Sequence, residues 1–226
     1  MLTLWLVSVK ISKKVQIRRS QQVRREESRA KILAAAEDAF AREGLAGART
    51  DIIAVKAGVN KALLYYYFKT KEKLYEAVME KHLRDFNDRA LAVLNASGPP
   101  GVLLLRYVNL HFDFISERHR HAPLFQQMMT KGCGPPVRLF RKYIIPRAEA
   151  VQKLLKRGMQ EGELRKVDPF HTSVSLAALI LFYFSSAPVL QTIGHADPYA
   201  RRNLKERKQA VLDFIRHALF TNPNGP

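Results

Sequence analysis

Residues 50–72 predict two short helices separated by one glycine, and this pattern constrains the fold more than any other part of the chain. Ile53 and Ala57 lie at helical spacing, and Gly58 then supplies a residue that tolerates positive φ at a sharp turn. Apolar positions resume after the turn at Val59, at Leu63 or Leu64, and at Tyr67. The second helix therefore has one face to bury against the first, which is the spacing of a helix-turn-helix.

The other face of the predicted second helix is polar and aromatic. It would carry Asn60, Lys61, Ala62, Tyr65 and Tyr66. Amide, ammonium and phenol groups on a free helix face suit a DNA groove better than a protein core. Arg49 and Thr50 lie at the start of the first helix, where Thr50 is expected to act as the cap, and Lys71 lies at the start of the next. These three are predicted to contact phosphates. An αα-hairpin in an unrelated helical protein is the alternative.

The segment from Arg25 to Leu83 resembles the N-terminal domain of the TetR family of bacterial transcriptional regulators. RAKILAAAEDAFAREGLAGA resembles its first helix, with Gly44 at the end. The expected buried stripe of that helix is Ile32, Ala36, Ala39 and Phe40. AGVNKALLYYYFKTKEKLYEAV resembles the turn, the recognition helix and the start of a fourth helix. Asn60 stands where the family commonly has serine, Ala62 where glycine is common, and Leu63 where a hydroxyl residue often meets DNA.

The resemblance implies a transcriptional regulator, usually a repressor, that binds a palindromic operator as a homodimer in the cytoplasm. It implies release of DNA when a small effector enters a C-terminal helical domain that also forms the dimer. The helix expected at about 71–95 would connect the two domains. Two other classes stay open, a nucleic-acid-binding protein without sequence preference and an all-α enzyme that retains a helix-turn-helix. No catalytic motif supports an enzyme.

Composition predicts an all-α globular chain with a polyanionic partner. The 226 residues are 47% hydrophobic, and they contain no sustained polar and apolar alternation typical of strands. The formal net charge of +18 fits duplex DNA, RNA or an anionic membrane surface. Cys133 is the one cysteine, which excludes an internal disulfide and fits a reducing compartment. The chain contains no run of 18 or more apolar residues, so the sequence predicts no membrane span.

Three segments follow from this pattern: a basic arm at 1–24, a helix-turn-helix domain at 25–72 and a C-terminal helical domain at 73–226. The arm contains six Lys or Arg and no acidic residue, and is expected to be disordered alone. It would either lie along DNA or have no role. Its apolar opening lacks a basic start and a cleavage site, so we interpret it as a flexible extension or a misplaced translation start rather than a signal peptide.

The most apolar helix is expected at 168–186, beginning at an Asp-Pro pair. A helix that is apolar on nearly every side must be covered all round, either by the monomer core or by a second subunit. The dimer helices would be 168–186 with 202–220, or 137–161 with 168–186. Pro146 is expected to kink or restart the helix at 137–161.

Large adaptable side chains in the C-terminal half either belong to the plain core or line a pocket for an apolar or aromatic effector, which the resemblance implies. The candidate lining residues are Phe112, Phe125, Met128, Met129, Tyr143 and Tyr183, and Phe182 and Phe184 are further members of this apolar set. The seven histidines are scattered and no ligand motif accompanies them, so the sequence predicts neither a metal site nor a cofactor.

Overall fold

The computed structural model describes residues 2–119, 124, 137–194 and 197–224, with backbone alone for residues 2–20. Regular structure in these ranges is helical. The only β pairing within them is an isolated antiparallel bridge between Leu164 and Phe220. The predicted all-α class, with an N-terminal helix-turn-helix and a larger helical C-terminal part, is confirmed.

The chain divides into two compact units between Val78 and Met79, a few residues beyond the expected boundary at 72. The first unit contains α1 (Leu2–Gly47), α2 (Thr50–Lys56), α3 (Lys61–Phe68) and the start of α4 (Lys71–Leu94). The α4 helix contributes residues to both units.

The basic N-terminal segment belongs to α1, which begins at Leu2. Residues 2–24 contain no proline or glycine, and they continue directly into the amphipathic part of the helix. Extending an existing helix needs no new nucleus, which explains why a basic segment without its own core joins it. Helical geometry breaks at Gly44, whose φ is 67°, as the sequence predicts.

The stripe predicted for α1 forms the core of the first unit. Ile32, Ala36 and Phe40 are fully buried and Ala39 nearly so. The ring of Phe40 packs edge-to-face against Tyr75, with 5.1 Å between centroids. Burying an aromatic ring of this kind contributes roughly 1.5–3 kcal/mol, so these contacts fix the base on which the short helices pack.

The second unit contains the rest of α4 and further helices that enclose one apolar core. These are α5 (Pro100–Glu117), α6 (Val137–Leu139), a π-helical turn (Phe140–Ile144), α7 (Ile145–Gln160), α8 (Pro169–Ser185), α9 (Ala187–Thr192) and α10 (Arg201–Leu219). Val108, Phe112 and Ile115 of the predicted α5 stripe are buried in this core, as are Leu154 and Leu155 of α7.

Proline positions explain how two of these helices begin. Pro146 lacks an amide hydrogen and cannot continue regular α-helical bonding, and the structure shows the π-helical turn directly before it. The kink predicted there is thus a π-turn. At α8, Pro169 occupies the first turn and the side chain of Asp168 accepts a hydrogen bond from the amide of His171 at 2.7 Å.

The α8 helix is apolar but is not covered on every side by the described residues. Leu176, Ile180 and Phe184 are buried, whereas Phe170 and Phe182 are exposed. None of the described helices combines the length and apolar character that a bilayer span requires.

Candidate nucleic-acid interface and ligand cavity

The turn between α2 and α3 has the geometry that its glycine predicts. Gly58 adopts φ of 66°, and the amide of Val59 donates to the carbonyl of Ala54 at 3.0 Å. Ala54 is almost completely buried at this crossing. A small side chain is needed there because α3 approaches α2 closely, as expected for a helix-turn-helix.

Asn60 caps the start of α3. Its backbone is extended, and its side-chain oxygen accepts a hydrogen bond from the amide of Leu63 at 2.7 Å. Asparagine and serine are both strong N-cap residues, so the departure from the common family residue preserves the cap. Asn60 itself remains exposed at the start of α3.

The face of α3 that packs inward consists of Leu64 and Phe68, both buried. Tyr67 is only half-buried, so the prediction that it is the inward residue was wrong by one position. The two buried side chains lie four positions apart, which is the spacing of neighbours along one helix face. The exposed face therefore presents Lys61, Ala62 and Tyr66.

Tyr66 is the large aromatic residue on this exposed face, with 58% of its surface accessible. Its ring packs edge-on against Tyr67 at 5.3 Å between centroids, and the ammonium of Lys69 lies 5.5 Å from the ring centre. These contacts restrict the ring while leaving much of it accessible. A restrained phenol beside a cation can reach a base edge or a phosphate.

Thr50 and Tyr65 do not occupy the positions that the sequence predicts. Thr50 is buried, and its hydroxyl lies 3.0 Å from the hydroxyl of Tyr65, which is half-buried. Arg49 is the residue before α2, and no side chain caps that helix. The Thr50 hydroxyl thus joins α2 to α3 instead of capping α2.

We expect Thr50→Val and Tyr65→Phe each to lower the free energy of unfolding by about 0.5–1.5 kcal/mol, the usual net value of a hydrogen bond. The double variant should lose much less than the sum, because both changes remove the same bond. Chemical denaturation of the four proteins measures this coupling. Additive losses would show that the two hydroxyls act independently.

Arg49 and Lys71 lie at the two helix starts predicted to contact phosphates, and both already have protein partners. The exposed guanidinium of Arg49 pairs with Asp51 at 2.9 Å and, by that hydrogen bond, lowers the pKa of the carboxyl. The ammonium of Lys71 donates to the carbonyls of Ala46 and Ala48 at 3.1 and 3.3 Å. Lys71 therefore ties the end of α1 to the start of α4 while keeping its charge at the surface.

We expect Lys71→Ala to weaken binding to all DNA sequences alike and to reduce the salt dependence of binding by about one unit of slope. It should also destabilise the first unit, because two carbonyls lose a charged donor. Titration at several salt concentrations, together with thermal unfolding, measures both effects. A selective loss at one base pair of the bound site would contradict the phosphate role.

A cavity of about 560 Å³ lies in the second unit, between α4, α5, α7 and α8. Most of its wall is apolar and aromatic, including Phe86, Ile115, Val151, Leu181 and Phe182. This volume lies within the usual range for small-molecule sites.

The polar groups of this cavity come from all four helices, with Ser173 and Ser185 contributed by α8. His82 belongs to α4, Tyr107 and His111 to α5, and Arg147 to α7. The imidazole of His111 lies against Phe86 at 4.5 Å between ring centres, and the guanidinium of Arg147 lies 4.6 Å from the centre of the same ring. Burial lowers the pKa of His111 to about 3, and the positive charge of Arg147 adds to this effect. The imidazole is therefore neutral near pH 7.

Phe182 and Phe184 line the cavity, whereas the other described candidates lie elsewhere in the second unit. Phe112 packs in the core against Phe184, with 5.3 Å between ring centres. The hydroxyl of Tyr143 donates to Glu80 at 3.0 Å, and that of Tyr183 donates to the carbonyl of Pro198 at 2.7 Å.

The remaining candidates, Phe125, Met128 and Met129, lie outside the described residues. Sequence reasoning missed the histidines and the arginine of the cavity. They are far apart in the chain and share no motif, so the sequence gives no signal that joins them.

Two family models match the chain. The model for bacterial regulatory proteins of the tetR family covers residues 32–78, and the tetracyclin repressor-like C-terminal domain covers residues 108–215. The chain belongs to the TetR family. It is therefore a helix-turn-helix transcriptional regulator, and α3 occupies the place of the recognition helix.

Curated relatives match over most of the TetR-family chain. RutR of Escherichia coli, a transcriptional regulator, is 29% identical over 192 residues, which are 82% of this chain and 89% of RutR. NicS of Pseudomonas putida, a transcriptional repressor, is 28% identical over 203 residues, covering 87% and 90% of the two chains.

Among solved structures, a protein of Saccharomonospora viridis in complex with choline aligns with a TM-score of 0.68. It is 20% identical, and the match covers 87% of this chain and all of the other. At that identity the likeness shows the shared fold.

Proposed function

We propose that this regulator is a ligand-responsive repressor that binds a palindromic operator as a homodimer. The observation that carries the proposal is the exposed face of α3. It presents Lys61, Ala62 and Tyr66, while the opposite face of the helix packs against the protein. These three residues and Asn60 would read bases. Arg49 and Lys71, at neighbouring helix starts, would hold phosphates.

Exposed apolar side chains on two C-terminal helices support the homodimer. Phe170 and Phe182 of α8 and Phe214 of α10 are 56%, 69% and 59% exposed. Large apolar residues clustered on a soluble surface are typical of protein interfaces. We therefore propose the pair 168–186 with 202–220 as the dimer helices, although the alternative helix at 137–161 also exposes Val137 and Ile145. Two-fold symmetry would place two α3 helices about 34–36 Å apart, one turn of the duplex.

The cavity supports the response to an effector. It is enclosed by four helices of the C-terminal unit, and the Saccharomonospora viridis structure holds choline in a protein of the same fold. An effector lowers operator affinity only if it binds more tightly to a conformation whose recognition helices are wrongly spaced. The charge of +18 also favours a second candidate, binding of nucleic acid without sequence preference.

Sequencing of genomic fragments retained by the purified protein tests this function. We expect one palindromic motif whose half-site centres are about 10 base pairs, or a multiple of that, apart. Fragments should cluster upstream of a small number of genes. Uniform sampling of the genome would contradict the operator and favour the second candidate.

A further inference from the structure

Arg147 of α7 is a cation in an apolar wall. Its half-buried side chain lines the cavity, and its Nη1 atom is enclosed with no hydrogen-bond partner. Across the part of the chain that the structure describes, it makes no ion pair with a carboxylate. Most arginines that leave water have such a partner, because an unpaired buried charge is costly.

The groups around Arg147 hold it in place without neutralising it. Its guanidinium lies over the Phe86 ring, and the phenol of Tyr107 is close enough to interact with its charge. Burial lowers the pKa of Arg147, which shows that the surroundings disfavour its charge. His111 beside it is neutral, and its Nδ1 atom also has no partner.

Unsatisfied polar atoms of this kind in a cavity indicate a missing partner. A carboxylate would supply both the negative charge and the acceptor oxygens that the guanidinium fork matches. A single cation opposes one negative charge, which favours a monocarboxylate over a phosphate dianion. The apolar remainder of the wall would enclose a hydrocarbon or aromatic body.

We propose that the effector is an organic monocarboxylate with an apolar body, whose carboxylate pairs with Arg147 inside this cavity. This inference rests on the proposed function only in taking the cavity as the effector site. Tyr107 and His111 would orient the carboxylate, and Phe86 would hold the guanidinium beneath it.

Calorimetric titration with matched acids and alcohols tests the charge requirement. The probes are hexanoate, decanoate, dodecanoate and phenylacetate, with hexan-1-ol, decan-1-ol, dodecan-1-ol and 2-phenylethanol as neutral counterparts, all below micelle-forming concentrations. We expect at least one acid to bind about 10-fold or more tightly than its alcohol, as a charge-assisted pair requires.

Two variants assign this preference to one side chain. Arg147→Met keeps an unbranched side chain over Phe86 and should lose the preference for the acid or reverse it. Arg147→Lys keeps the charge without the fork and should give an intermediate affinity. Lys156→Met removes an exposed cation from the same helix and should behave as the wild type. Circular dichroism checks that each variant is folded.

Three outcomes would overturn the proposal: no acid of the panel binds at millimolar concentration, an alcohol binds more tightly than its acid, or folded Arg147→Met keeps the preference. Release of the retained genomic DNA by the bound acid is measured separately. A protein that binds its operator but ignores acids refutes the monocarboxylate alone. A protein that binds acids but retains no specific DNA refutes the proposed repressor alone.

Discussion

Phe214→Glu is expected to convert the proposed homodimer into a folded monomer and to lower operator affinity by about 1,000-fold. A C2 interface contains each residue twice, and losing two buried phenylalanines at about 2 kcal/mol each removes about 4 kcal/mol. The introduced carboxylates would add desolvation and mutual repulsion. Phe214 is exposed in the single chain and does not line the cavity, so the change should leave the fold and the effector site intact.

Sedimentation and circular dichroism measure the oligomeric state and the helical content, and two variants serve as controls. Val137→Glu places the same charge on an exposed apolar residue of another helix and should remain a dimer. Ile180→Glu places it in the core and should unfold the protein. Leu179 is a poorer choice for this test, because it already packs partly against the core. Monomeric wild-type protein at micromolar concentration would refute the dimer.

Tyr66→Ala is expected to weaken operator binding by about 1–3 kcal/mol, which is the usual value of a base-edge contact. Because its ring is largely exposed, with contacts to Tyr67 and Lys69, the free energy of unfolding should change less than the free energy of operator binding. Fluorescence anisotropy with the operator and with single-base variants measures the change. Tyr66→Phe separates the hydroxyl from the ring.

Val55→Ala serves as the control for Tyr66, since Val55 is 80% exposed on α2. It should leave operator affinity unchanged. A Tyr66→Ala protein with wild-type affinity would remove this residue from the interface. An equal loss at every base-pair variant would instead assign it to the phosphate backbone.

Local signals predicted the helix-turn-helix well, because its geometry depends on neighbouring residues. Gly58 sets the positive φ of the turn as predicted, and Ala54 lies at the close crossing. The cap that Asn60 forms on α3 was not predicted. The inward phase of α3 was missed by one residue. In a helix of two turns, Tyr67 and Phe68 differ by only 100° in direction, and tertiary packing decides which is buried.

The cavity could not be predicted in the same way. His82, His111 and Arg147 come from three helices, and each resembles an ordinary surface residue in the sequence. Their proximity depends on how α4, α5 and α7 pack, which helical periodicity does not encode. The contact between Thr50 and Tyr65 was not predicted for the same reason, since it joins two helices whose faces meet only in the folded unit.

Sequence-specific DNA binding is tested most directly by comparing the operator with a scrambled duplex at two salt concentrations. Phosphate contacts weaken equally on both duplexes as salt rises, whereas base contacts maintain the difference between the two affinities. We expect the operator to bind about 1,000-fold or more tightly at both salt concentrations, as specific regulators do. Equal affinities that fall together as salt rises would contradict an operator-binding regulator and leave only the charge of +18 to explain binding.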